Sequence, residues 1–384
     1  MNILTHEQLN TKCVGCGNCF NVCPKKAIVM AQNDEGFLYP ILDEGKCINC
    51  EVCIKVCQVF REYDKKTEWQ IGYAAISKRK EYYKNAASGG IFGTIADIFL
   101  KQYMNGVVVG ATYENGKVFH KIIRSINDIA SLQNSKYVQS GLNSIFLDIK
   151  KELTMNNAVL FSGTPCQIYA LKLFLRNVDC SRLFTMDLIC HGVPSQAFLE
   201  KDLKEYGKHI RDIKFRQKKL RGKSRSGFIL SFIKTTNKNK RKYVLANRDP
   251  YYSLFIQNLS FRKSCYQCQF ANLNRVGDIT IGDCDSYALY PEFHSGEATS
   301  TVIINSVKGN MLFEFAKTCF DYIYLDLEKE AKINTQLYKP SPLPEKRDDI
   351  IKDINTLGFT ELQRKYAKPN DLKAKILVIK FLYI

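Results

Sequence analysis

Long apolar runs are missing from this 384-residue chain. No stretch reaches the roughly 18 uninterrupted apolar residues that a membrane span needs. The opening MNILTHEQLN has no basic segment followed by an apolar one, so it does not read as a secretion signal. The expected location is the cytoplasm. Low-complexity tracts are absent as well, and 45% of residues are hydrophobic, which excludes a disordered chain. Acidic residues are scarce beside basic ones, 38 against 56, for a formal charge of +18. The basic residues are spread out, with one dense stretch at KFRQKKLRGKSRSG (214–227). That stretch reads as a solvated loop or a landing site for an acidic redox partner, and no nucleic-acid partner is expected.

Cysteine is abundant, at 15 residues. In a reducing compartment, clustered cysteines serve as metal ligands or reactive thiols more often than as disulfides. CVGCGNCFNVCP (13–24) and CINCEVCIKVCQ (47–58) both read C-x2-C-x2-C-x3-C. At this spacing three thiolates hold one [4Fe–4S] cubane and the fourth reaches the neighbouring cluster. One cluster is then held by Cys13, Cys16, Cys19 and Cys57, the other by Cys47, Cys50, Cys53 and Cys23. Gly15 and Gly17 let the backbone come close to the inorganic sulfides. Zinc would not need eight thiolates in two interlocked sets. Each cubane with its four thiolates carries about −2, so the assembled protein is less basic than its formula. The proline usual after the last cysteine is present as Pro24 but replaced by Gln58. Residues 1–62 thus resemble a bacterial-type two-cluster ferredoxin, with 25–46 as a padding hairpin.

After a polar joint at YDKKTEW (63–69), strands and helices alternate. SGGIFGTIADIFLKQYM (88–104) is apolar at helical spacing. GVVVGATY and KVFHKIIR flank a hairpin signal at Asn115-Gly116. AVLFSG, RLFTMDLIC and DITIGD read as buried strands, with helices from Pro165 and Ser195. IKF, FILSFIK and KYVLA are three further strands. The predicted fold class is α+β or α/β: a small ferredoxin-type domain (1–62), then a mixed α/β body. The body divides on this reading into residues 70–155 and 156–325, followed by a charged, weakly patterned tail (326–384). Its end, DLKAKILVIKFLYI, reads as an amphipathic helix that docks on the body or touches a membrane surface, docking being the favoured reading.

Seven cysteines remain. Cys166 in SGTPCQ and Cys190 in DLICHGVPS sit where strands end, the place where ligands collect in open α/β sheets. Cys265 and Cys268 form SCYQC, which by itself is half a zinc site, a redox dithiol or half a cluster site. Cys180 and Cys319 have the contexts of small buried hydrophobes. Cys284, just after a strand, is a rival ligand or a thiol near the reaction centre. SGG opening a helix, SKYVQSGL, SGTPCQIYAL, DLICHGVPS, SCYQC and GDITIGD occur together in this order. The set resembles the beta-subunit family of coenzyme F420 hydrogenases and dehydrogenases, iron–sulfur flavoproteins with FAD and a further [4Fe–4S] cluster. The resemblance implies that Cys166, Cys190, Cys265 and Cys268 bind that body cluster. It also implies that Ser88, Gly89, Gly90, Lys136 and Tyr137 line the flavin site, beside Gly163 and Thr164. A glycine-rich helix start offers free N–H groups to a pyrophosphate. His191 and Cys284 are the candidate catalytic residues; Asp283 and Asp285 read as turn residues or, alternatively, substrate contacts, and the aromatics of 249–255 as helix core.

The function expected from this reading is an FAD- and iron–sulfur-dependent oxidoreductase. Electrons from a ferredoxin or another carrier would enter the first domain, and FAD would deliver them in pairs to a small organic substrate. Bacterial relatives suggest a reductive step in cell-surface polysaccharide synthesis as its setting. The rival readings are a deazaflavin-reducing subunit and a non-enzymatic electron-transfer module.

Overall fold

The computed structural model describes residues 8–63, 69–207, 210–219, 226–234, 240–286, 289–291, 293, 296–369 and 372–383. Most of the polar joint (64–68), the centre of the basic stretch (220–225) and Tyr287 of CDSY lie outside these residues.

An eight-stranded sheet carries the body. Its strands are β3 (Ile71–Ser77), β4 (Val107–Glu114), β5 (Lys117–Ile123), β6 (Val159–Gly163), β7 (Leu183–Leu188), β11 (Ile279–Asp283), β12 (Ser300–Ile304) and β13 (Phe320–Leu325), in the spatial order β13-β3-β12-β11-β7-β6-β4-β5. The central strands β11, β7, β6 and β4 are parallel, and the flanking pairs are antiparallel. Val159, Leu160, Phe161 and Met186 are fully buried because helices cover both faces, which is why these strands read as continuous apolar runs. The β4–β5 hairpin turns at Asn115 and Gly116, both at positive φ, as the sequence signal requires.

Two smaller sheets complete the molecule. The hairpin β1 (Ile28–Gln32) and β2 (Leu38–Leu42) lies beside the cysteine-rich loops, and β8 (Ile210–Lys218), β9 (Ser226–Lys234) and β10 (Arg241–Leu245) form an antiparallel sheet. The strands on either side of residue 155, the expected boundary within the body, belong to one sheet. β4 and β5 from before it and β6 and β7 from after it share one sheet, because parallel crossovers interleave the strands. In the charged tail, helices Arg347–Thr356, Phe359–Tyr366 and Leu372–Tyr383 pack on the body through Ile350, Ile354, Leu362, Val378 and Leu382.

The parallel strands all point their C-terminal ends at one edge. Thr164 and Cys166 follow β6, Cys190 and His191 follow β7, and Asp285 follows β11. The main cavity, about 710 Å³, opens at this edge. The ferredoxin-like lobe is seated over it. Buried Arg262 donates from Nε to the Cys13 carbonyl at 2.6 Å and from Nη2 to the Leu38 carbonyl at 2.9 Å. Gln139 reaches the Val14 carbonyl (2.7 Å), and Asn18 reaches the Ala170 carbonyl (2.8 Å). Gly15 permits this approach: its φ is +66°, and a Cβ there would lie 2.9 Å from the Gln139 amide nitrogen.

Candidate functional site

Cys166, Cys190, Cys265 and Cys268 all line the cavity, brought there by the loop after β6, the loop after β7 and the short 3-10 turn Lys263–Gln267. Their thiols are close enough for Cys190 to sense the charge of the other three. Burial pushes Cys166 up to about 11 and Cys265 up to about 12. Four buried thiols crowded together without a cation are poor anions. That donor set suits a cluster whose irons supply the missing positive charge.

The N-terminal cysteines sort into two groups. Cys19 lies among Cys16, Cys13 and Cys57, where burial and their mutual repulsion hold its thiol well above the usual range. Cys23, Cys47, Cys50 and Cys53 ring a separate small cavity of about 30 Å³. These are the two interlocked sets that the spacing predicts. The first set is buried at Cys13, Cys19 and Cys57, whereas Cys50 of the second is exposed. Cys16 is also within electrostatic reach of Cys166. Gln58, standing where a proline is usual, donates from Nε2 to the Cys166 carbonyl at 3.0 Å, a contact proline cannot make.

The glycine-rich turn forms the next wall. Gly90 caps helix Ile91–Gln102 in the left-handed region (φ 85°), and a Cβ there would meet the Tyr83 backbone at 2.9 Å. The Ser88 hydroxyl donates to the Thr299 carbonyl at 2.6 Å, and the Gly89 amide donates to Ser300 Oγ at 2.9 Å, so the turn is fixed to the start of β12. Ser88 and Gly90 face the cavity, with Lys136, Tyr137, Gly163 and Thr164. Gly89 is instead pressed on the Ala75 carbonyl, 2.3 Å from its ideal Cβ, and serves the turn rather than the wall. Lys136 donates from Nζ to the Gln133 carbonyl at 2.6 Å, and burial lowers it to about 7. The Tyr137 ring stacks 4.3 Å from Phe255, and its backbone carbonyl accepts from Tyr251 Oη at 2.6 Å. Tyr251 and Tyr252 are fully buried, as the helix-core reading predicts. Among the described residues, the buried side-chain oxygens Gln133 Oε1 and Asn334 Oδ1 on this cavity have no partner, which leaves acceptors for a bound group.

His191 lines the cavity. Burial lowers its pKa against the opposing pull of Asp283, so the imidazole is neutral at pH 7. Asp283 is paired with Arg216 at 2.6 Å. Asp285 is raised to about 6 by desolvation first, then by Asp283 and Glu330. Cys284 departs from both roles expected of it. It is buried with Ala74 and Leu325, apart from the four cavity thiols. Cys284 is not among the residues that line the cavity, although its neighbours Asp283 and Asp285 are. Burial, and Glu330 nearby, push its thiol up to about 12, where it is inert. Replacing Cys284 with serine is expected to leave the iron content of the purified protein unchanged, as read by colorimetric iron assay.

Sequence reasoning missed Arg262, Gln139, Arg216 and Lys218. Lys218 Nζ is buried against the Tyr83 carbonyl (2.6 Å) and the Ser88 carbonyl (2.5 Å), and so buttresses the glycine turn. SCYQC signals only its own two cysteines. Nothing local shows that Arg262, three residues before Cys265, crosses to another domain.

Residues 156–329 match the model for the C terminus of the coenzyme F420 hydrogenase/dehydrogenase beta subunit. Residues 12–60 match the 4Fe-4S dicluster domain. Residues 156–329 thus resemble the C-terminal domain of this beta-subunit family, and a dicluster domain stands in front of them. The dicluster part is 39% identical over 46 residues to an uncharacterized ferredoxin of Methanocaldococcus jannaschii, covering 12% of the chain and 58% of that protein, under two thirds of its length. It is 32% identical over 56 residues to an uncharacterized protein of Porphyra purpurea, from the rpl9-rpl11 intergenic region, covering 14% of the chain and 75% of that protein. A chain of the F420-reducing [NiFe] hydrogenase complex from Methanosarcina barkeri is similar at 18% identity and a TM-score of 0.45, over 71% of this chain and 91% of that one. The chain thus joins an iron–sulfur dicluster domain to a domain similar to that of hydrogenase/dehydrogenase beta subunits. No helix among its described residues is long and apolar enough to cross a membrane.

Proposed function

We propose that this beta-subunit homologue is a flavin- and iron–sulfur-dependent oxidoreductase that carries electrons from a ferredoxin-type donor inward to a small organic substrate. The observation that carries the reading is a shared wall: four thiols from three loops and a pinned glycine-rich helix start face the same cavity of about 710 Å³. That volume suits a cofactor with a substrate beside it. Bound there, clusters supply one-electron transfer and a flavin supplies its conversion to two-electron chemistry.

The protein's own residues take definite parts. Cys47, Cys50, Cys53 and Cys23 form the outer ligand set, and Cys13, Cys16, Cys19 and Cys57 the buried one. Cys166, Cys190, Cys265 and Cys268 form the innermost. Exposed Cys50 and the proximity of Cys16 to Cys166 support this order from surface to cavity. Ser88 and Gly90 present the helix start to a phosphate, and Lys136 adds a donor at the same wall. Asp285 carries a proton for the substrate below about pH 6, and neutral His191 is placed to accept one at the cavity. Anaerobic iron and flavin analysis tests the proposal: about twelve irons and one flavin per chain are expected. About four irons with no flavin would end it.

The matched family description favours one second reading, in which the cavity serves a deazaflavin. Mixing the reduced protein with coenzyme F420 then bleaches the deazaflavin absorbance; an unchanged spectrum rejects this reading and leaves the first intact.

A further inference from the structure

Helix Leu372–Tyr383, LKAKILVIKFLY, has two unlike faces. Ala374, Val378 and Leu382 are spaced four apart and buried, at 1%, 7% and 1% exposure. The Phe381 ring sits over Gly227 of β9, where a Cβ would come within 2.7 Å of it. The chain leading to the helix is pinned as well: the Lys368 amide donates to the Asn247 carbonyl (2.8 Å), and Arg248 Nη1 donates to the Pro369 carbonyl (2.7 Å). One face therefore fixes the helix to the outer three-stranded sheet. Docking is satisfied without the other.

The other face remains exposed and apolar. Leu372, Ile376 and Ile379 are 71%, 43% and 55% exposed. At about 100° per residue they form a stripe roughly 60° wide. Lys375 lies about 40° beyond one edge, and Lys380 and Lys373 lie roughly 40–60° beyond the other. The helix carries no acidic residue. Lys242, exposed on β10 beneath the helix, adds to the positive charge.

We infer that this helix lies flat on an anionic membrane surface and holds the protein there as a peripheral component. Aliphatic side chains flanked on both sides by lysines match the layering of a bilayer interface. The stripe enters the acyl boundary while the lysine stems run along it and raise their ammonium groups to anionic headgroups. An acidic protein partner would be met by the lysines alone and gives no use for the exposed isoleucines. The helix is about 18 Å long, too short to span, so the mode is surface attachment. This inference stands apart from the reading of the cavity.

Sedimentation of the intact, cluster-loaded chain with vesicles tests it. Vesicles with about 30% phosphatidylglycerol in phosphatidylcholine are expected to carry the protein down, those of phosphatidylcholine alone much less, and binding is expected to fall as salt is raised. Ile376→Glu with Ile379→Glu is expected to lower the bound fraction about tenfold by removing the inserting stripe. Both side chains are exposed, so iron content and the solution fold stay as in the parent and serve as controls. No sedimentation with either vesicle, or equal binding by parent and double variant, overturns the inference. Binding abolished by salt but untouched by the double variant also overturns it, and points to an acidic protein surface instead.

Discussion

Replacing Cys265 with serine removes about four irons from the purified protein and leaves about eight. The reasoning begins with position. Cys265 and Cys268 stand on one short turn, and the loops after β6 and β7 deliver Cys166 and Cys190 to the same cavity wall. A serine hydroxyl does not ionise near neutrality, so one corner of the innermost set loses its anionic ligand. The two N-terminal sets do not contain Cys265 and keep their iron. Cys180→Ser is the control: this cysteine follows helix Pro165–Phe174, lies off the cavity and is expected to change nothing. Iron assay with low-temperature paramagnetic resonance of the reduced protein reads both. Unchanged iron in the Cys265 variant, or a loss of about eight irons, rejects the innermost ligand set.

Arg262→Met loosens the seat of the ferredoxin-like lobe and lowers hydrogen-exchange protection of residues 13–16 by roughly two orders of magnitude, equivalent to about 3 kcal/mol. Arg262 is 1% exposed, and its guanidinium is shared among the carbonyls of Cys13 and Leu38 and the side chain of Gln139. It also lies over the Tyr39 ring, 4.1 Å from the centroid. Methionine fills part of the space but leaves two buried carbonyls without that donor, and unmet buried groups dominate the cost. Arg262→Lys rescues little, because one ammonium cannot reproduce a planar fork aimed at separated acceptors. Protection equal to the parent in the methionine variant shows that the lobe is held by other means.

Much of the site was legible in the sequence because its chemistry is local. Repeated C-x2-C-x2-C-x3-C loops force eight thiols into two sets over a few residues each, and strand-to-helix junctions announced Cys166 and Cys190. Cys284 lies one residue beyond β11, where strand alternation no longer fixes the side a residue takes. Other parts depend on distant pairing. β13 lies outermost on the sheet; its run FDYIYL is rich in strand formers, but nothing local shows that it pairs with β3, more than 240 residues earlier. The crossing of residue 155 by the sheet, the reach of Arg262 and the capture of the tail helices all join segments far apart in sequence. No local pattern encodes them.

The tail returns to the other end of the chain. Arg347, buried on helix Arg347–Thr356, grips the Glu35 carboxylate in the β1–β2 turn with both its Nη atoms, and Asn355 donates to the Asp34 carbonyl at 2.7 Å. Beside them Gly36 lies against helix Gln196–Tyr206, with no room for a Cβ: 2.6 Å to that of Ala197. A lobe clasped at both its cysteine loops and its hairpin tip is a fixed conduit and not a swinging arm. The length of each electron hop is set once, when the chain folds, so transfer across the seam should be indifferent to solvent viscosity.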